Sequence, residues 1–244
     1  MTSGVTADLA QQILDTPVAG RVRVVGLAGG VGVGKSTWAD ALVGEIRRRG
    51  STAVVVSSDS FLHPNAVLDQ LGLTLEKGSP ASFDVDALVR FLTATRAGAL
   101  PLEVPVHSHL TYDIDGRWTV PAAEVVVLDG VNVLQPPIRA LLDLAVYLDA
   151  EIADNRRWFL ERFEQLRDAA RDDARSFYAQ FVALSDEQCA AVANWTWDEM
   201  NLPNLLTHIQ PTRRLADVVI HAAPDHSLNV VSRSDPVPGR DIGS

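Results

Sequence analysis

Cysteine is nearly absent. Cys189 is the single one in 244 residues, so no internal disulfide can form and a reducing compartment is the simplest setting. It lies in "DEQCAAVANW", which reads as a helix with the thiol as a packing group. A basic excess is absent too. The net charge is −10, which argues against a nucleic-acid or anionic-membrane surface. A small anion is still compatible, because a few oriented N–H groups can hold one locally. No apolar run approaches the ~20 residues of a membrane span. The start, "MTSGVTADLAQQIL", has no basic region leading into an apolar stretch, so no signal peptide is visible. The expected location is the cytoplasm. One cysteine leaves no zinc cluster, and no Ser/His/Asp triad is found.

What is present is apolar. Hydrophobic residues make up 47% and charged residues 21%, the balance of a globular chain with a real core. Almost wholly apolar segments read as buried strands at 21–29, 52–58, 124–130, 144–150 and 216–222. Helical spacing covers 36–50 and 84–98, a short amphipathic helix fits 7–15, and a long helical stretch runs over roughly 151–202. Such alternation implies a mostly parallel sheet with helices on both faces. The fold class is α/β, read as one domain over 1–233 with a helical insertion at 151–202. The tail 234–244 is expected to fray. Ligands bind such sheets at the carboxyl ends of the strands.

"GGVGVGKS", Gly29 to Ser36, fits G-x-x-x-x-G-K-[ST] in full, directly after a strand and before a helix. Gly29, Gly30, Val31, Gly32, Val33 and Gly34 wrap the backbone around phosphate. Lys35 reaches toward the β- and γ-phosphates, Ser36 ligates Mg²⁺, and Thr37 completes the nucleotide-binding set. Nucleotide binding follows; the reaction does not.

Two acids close neighbouring strands. Asp129 ends "VVVLDG", where a carboxylate can hold magnesium. Asp59 ends "VVVSSD", where it can accept the proton of an attacking hydroxyl. Each has a plainer reading as a turn residue. In "NRRWFLERFEQLRDAARDDAR", 155–175, arginines are interleaved with acids at helical spacing, so most should form an ion-paired face. Arg162, beside Phe159 and Phe163, is the one expected to act on a transferring phosphate. "PVHSHLTYDI" offers His107, His109 and Tyr112. His-x-His without a third ligand nearby is a weak metal signal, and His109 reads as a hydrogen-bonding group for a polar substrate.

Taken together, "GGVGVGKST", "SSDSFLHPN", "KGSPASFDVDALVRFL", "VPVHSHLTYDI", "VVVLDGVNVLQ", "RRWFLERFEQLR", "MNLPN", "QPTRRLADVVI" and "DHSLNVV" resemble the prokaryotic, P-loop type of pantothenate kinase. The motifs occur in family order over roughly 21–233. The resemblance implies a P-loop kinase fold with a helical lid, and transfer of the γ-phosphate of ATP, with Mg²⁺, to the primary hydroxyl of pantothenate. It implies Asp59 beside that hydroxyl and Phe61 starting the wall of the acceptor site. His107, His109, Tyr112, Phe159, Phe163 and Asn201 match substrate-pocket positions. Arg162 matches the lid arginine and His226 a histidine near adenine. It also implies a homodimer.

The chain departs from the pattern at several points. His107 and Phe159 stand where the family has tyrosine, Leu166 and Arg171 where it has aromatics, and Asp129 where it has glutamate. Asp40 replaces an arginine that contacts coenzyme A, and the match starts close to the phosphate-loop strand, short of the family's longer N-terminal part. Alternatives therefore stay open: a kinase of another hydroxyl acceptor, such as a nucleoside or sugar-like polyol, or a nucleotide-binding regulator without turnover.

Overall fold

The computed structural model describes residues 2–16, 18 and 22–233; the tail expected to fray lies outside the described residues. Helix α1 (Thr2–Asp15) precedes strand β1 (Arg23–Gly29), helix α2 (Lys35–Arg48) and strand β2 (Ala53–Ser57). Helices α3 (Asn65–Leu71) and α4 (Val85–Arg96) follow, then β3 (Leu102–Ser108), β4 (Asp113–Val120), β5 (Val125–Asp129) and β6 (Leu144–Asp149). Helices α5 (Ile152–Ala169) and α6 (Asp186–Thr196) lead to β7 (Val218–Ala222) and β8 (Leu228–Arg233).

The main sheet has the order β2-β5-β1-β6-β7-β8. Its first five strands are parallel and β8 is antiparallel to β7. Apolar side chains alternate between its two faces, as the two-residue period of a strand demands. Val24, Val54, Val126 and Leu128 pack on one face with Leu88, Phe91 and Leu92 of α4. Val25, Val125, Val127 and Val146 pack on the other with Leu9 and Ile13 of α1 and Trp38, Leu42 and Ile46 of α2. Asp84 caps α4 by accepting the Ala87 N–H at 2.8 Å.

Register sets the site. Leu27 of β1, Asp129 of β5 and Ser57 of β2 lie in one row. The phosphate loop, Asp129 and the turn after β2 therefore leave the sheet at the same edge. β5 lies between β1 and β2, so Asp129 is one strand from the phosphate loop and Asp59 two.

Three features differ from the sequence reading. β3 and β4 form a separate antiparallel hairpin, and β8 adds an edge strand. Most of β4 and nearly all of β8 face solvent, so neither carries the apolar run that marks a buried strand. The helical connection also extends past residue 202, in wide and tight turns from Trp197 to Leu215. A cluster of Phe163, Cys189 and Ala193, with Tyr178 and Phe181 against it, holds α5 to α6. Cys189 is fully buried there. Among the described residues no helix is long and apolar enough to cross a membrane.

Candidate active site

Gly34 sits in the left-handed region at φ 95° and starts α2 without a side-chain cap. No acid lies in the first turn of α2, so its N–H groups and dipole face the loop uncompensated. Gly32, at φ 84°, has α5 against it: a Cβ there would meet the Phe159 backbone at 3.3 Å. Asn155 of α5 is buried and donates to the Val31 carbonyl. The lid helix is thus packed directly onto the phosphate loop. Sequence reading missed Asn155, because an asparagine at a helix start has no distinctive local pattern.

Lys35 is buried, and its Nζ donates to the Gly30 carbonyl at 2.8 Å. Burial lowers its pKa, with Asp129 and Asp59 opposing and Arg162 adding to the effect. Ser36 Oγ donates to Asp129 Oδ2 at 2.6 Å. Asp129 is 4% exposed, and its Oδ1 has no hydrogen-bond partner among the described residues. Burial raises its pKa; Lys35 and the Ser36 hydrogen bond oppose this, while Asp59 and Asp40 add to it.

Asp59 does not end β2. The strand stops at Ser57, and Asp59 lies in the short 3₁₀ turn Ser58–Phe61, its N–H accepted by Ser57 Oγ at 3.2 Å. Burial raises its pKa, while Lys35, His109, Lys77 and Arg162 oppose this. Four positive or protonatable groups thus converge on one carboxylate.

Arg162 separates itself from its neighbours. Arg157, Arg167, Arg171 and Arg175 pair with Asp154, Asp168 and Asp186, Asp168, and Asp173 respectively. Arg156 bonds Asn194 and lies 3.8 Å from Asp198. Arg162 has no hydrogen bond or ion pair among the described residues, yet its charge is felt by Lys35, Asp59, Tyr112 and Tyr178.

The hairpin brings a third wall. His107 lies edge-on to both His109 and Tyr112, with ring centroids 5.6 Å from each. Both His107 ring nitrogens lack partners among the described residues. Burial, Lys77 and His109 lower its pKa to about 4. Tyr112 takes φ 54° and stacks on Phe177 at 4.8 Å. Burial raises its phenol pKa. The Phe177 N–H donates to the Leu110 carbonyl at 2.6 Å, so the segment after α5 docks on the hairpin tip.

Lys77 was also missed. Its Nζ donates to Asn65 Oδ1 at 2.7 Å and to the Tyr112 carbonyl at 2.6 Å, and lies 4.2 Å from the Tyr112 ring centroid. A compositional signal was there to find. Lys35 and Lys77 are the only two lysines in the sequence, and the charge of each acts on Asp59.

Other expected residues are dispersed. Phe61 does not open onto this site: its ring is 5% exposed and packs on Phe91 at 5.5 Å. It lines a separate cavity of about 510 Å³ between α4 and the hairpin, to which no phosphate-loop residue contributes. The chain turns after Asp59 and carries Phe61 into the core. Phe163 is buried in the α5–α6 cluster. Phe159 is half-buried, between the phosphate loop and Trp197 at 5.6 Å. Asn201 is half-buried in the wide turn after α6. His226, in the β7–β8 turn, stacks on Trp158 of α5 at 4.4 Å. Exposed Arg171 pairs with Asp168 at 3.3 Å. Among the described residues no three or more His, Cys, Asp or Glu gather as a metal site.

Residues 24–172 match the model of the phosphoribulokinase/uridine kinase family. A pantothenate kinase of Sorangium cellulosum is 42% identical over 229 residues, covering 89% of this chain and 74% of that protein. One from Bradyrhizobium sp. (strain ORS 278) is 40% identical over 224 residues, covering 86% and 70%. The chain belongs to the P-loop pantothenate kinase family. This family consists of phosphotransferases that act on a hydroxyl, with ATP as donor. Solved structures show the same fold at low identity. A candidate fructose transport system kinase of Silicibacter sp. TM1040 has a TM-score of 0.70 at 23% identity, covering 88% of this chain and 98% of that one. D-glycerate 3-kinase of Cryptococcus neoformans has 0.60 at 12%, covering 94% and 97%.

Proposed function

We propose that this member of the pantothenate kinase family transfers the γ-phosphate of ATP to the primary hydroxyl of pantothenate. The observation that carries the reading is the phosphate loop with its buried Lys35 and the Ser36–Asp129 pair, at the sheet edge where Lys35, Lys77, His109 and Arg162 act electrostatically on Asp59. Phosphoryl transfer asks a protein mainly for positioning and for charge placed where charge develops. Asp59 accepts the hydroxyl proton. Lys35 and the α2 N–H groups hold the β- and γ-phosphates. Arg162 closes over the moving group from the lid.

Ser36 Oγ and Asp129 supply two hard oxygen donors, one carboxylate oxygen of which is buried and unpaired. That donor set fits Mg²⁺, which takes one or two protein ligands and completes its shell with phosphate oxygens and water. When bound there, the ion would neutralise charge on the phosphate oxygens. His107, His109, Tyr112 and Asn201 line the acceptor site, Phe159 covers it, and His226 stands on Trp158 toward the adenine. The reaction needs no nucleic acid and no membrane, and belongs to the cytoplasm, with two copies pairing as in the family.

A second reading, another hydroxyl acceptor, is favoured by Phe159, which offers no hydroxyl to hold an acceptor, and by the His107 ring nitrogens, both without partners among the described residues. Incubation with ATP and a panel of pantothenate, uridine, glycerate and simple polyols decides between them. Phosphopantothenate as the main product supports the proposal. Transfer to another member of the panel alone replaces it, and ATP binding without any transfer supports a regulator.

A further inference from the structure

The Gly78 carbonyl accepts two side-chain amides: Asn132 Nδ2 at 2.7 Å and Asn204 Nδ2 at 2.9 Å. Both lone pairs of that oxygen are therefore used. The two donors come from distant places. Asn132 lies three residues beyond Asp129. Asn204 belongs to the turns that return from the lid. The Gly78 N–H is also taken, by Ser82 Oγ at 2.9 Å. Gly78 itself is at φ 99°, and a Cβ on it would lie 3.4 Å from Asn204 Nδ2.

The arrangement is costly, which makes it informative. The Oδ1 atoms of Asn132 and Asn204 are buried without partners among the described residues, and unpaired buried acceptors are destabilising. Flipping either amide would set two oxygens against each other. Stability alone thus gives no reason for two buried amides at this point. What they fix is the Gly78–Ser79 peptide, one residue beyond Lys77, whose ammonium is fastened in turn to Asn65 and the Tyr112 carbonyl.

We infer that Asn132 and Asn204 are positioning residues that clamp the Gly78 carbonyl and so hold the Lys77 ammonium at Asn65 and the Tyr112 carbonyl, within electrostatic reach of Asp59. The clamp joins the loop behind Asp129, the Lys77–Gly78 loop and the base of the lid. It rests on the reading of Asp59 as the group that meets the acceptor hydroxyl. The other charged or protonatable groups that act on Asp59 are Lys35, His109, Arg162, Asp129 and Tyr112, none of which hydrogen-bonds Gly78.

Two measurements test it. With two lysines in the chain, acylation by acetic anhydride followed by mass spectrometry reports Lys77 against Lys35 as an internal reference. In N132A and N204A, Lys77 labelling should rise several-fold over wild type while Lys35 is unchanged. This needs no acceptor, so it stands or falls apart from the identity of the substrate. In turnover, each substitution should lower kcat about tenfold when Lys77 is present and by less than about twofold in a K77M background. Unchanged Lys77 labelling in both variants, or equal kcat losses with and without Lys77, overturns the inference. Thermal melts identify a variant that fails to fold, and the other asparagine then carries the test.

Discussion

Ser36 Oγ donates to Asp129 Oδ2 at 2.6 Å, tying the first turn of α2 to the end of β5. The bond joins the helix that follows the phosphate loop to the strand next to it, so hydroxyl and carboxylate form one fixed pair of oxygens.

Replacing Asp129 by Asn keeps the shape but removes the charge. The Mg²⁺ concentration giving half-maximal activity should rise by about tenfold or more, since the ligand lost is charged. Titrating Mg²⁺ at fixed ATP reads this directly. An unchanged curve assigns the metal elsewhere.

Among the described residues Arg162 is the one lid arginine without a partner, and its removal should be the costly one. R162A should lower kcat by about 10³-fold, the lower range for an arginine that acts on a transferring phosphoryl group. R157A and R171A remove exposed ion pairs and should leave kcat within about twofold. Steady-state kinetics on the three variants checks the contrast.

His107 makes stability depend on pH. Its pKa falls from an ordinary 6.5 to about 4, so the folded chain resists the imidazolium that the unfolded chain accepts. This contribution is complete above about pH 6.5 and is lost as pH drops toward about 4. Melting temperatures measured across that window should decline less steeply in H107F than in wild type. Parallel declines would place the acid sensitivity in other groups.

The parallel sheet and the phosphate loop were legible because each rests on a short-range pattern. Val-rich runs mark buried strands, and the glycine spacing with Lys35 and Ser36 is a local requirement of phosphate binding. The hairpin was not legible, since β4 alternates nothing and faces solvent. Sequence order puts Phe61 beside Asp59, whereas the 3₁₀ turn Ser58–Phe61 packs its ring on Phe91, a placement no local pattern announces. Lys77, Asn155 and Asn204 act through contacts with carbonyls at Gly78, Tyr112 and Val31, or through a partner far along the chain. No local pattern announces such contacts. The isolation of Arg162 was expected from its place in the helix, but only the pairing of its neighbours makes it visible.

The most direct measurement is the rate of phosphoryl transfer by D59N alongside its affinity for ATP. The account predicts a fall in kcat of about 10² to 10⁴, the usual contribution of a positioned base, with ATP binding within about twofold of wild type. Transfer at nearly the wild-type rate, or a loss confined to nucleotide affinity, would contradict the role given to Asp59.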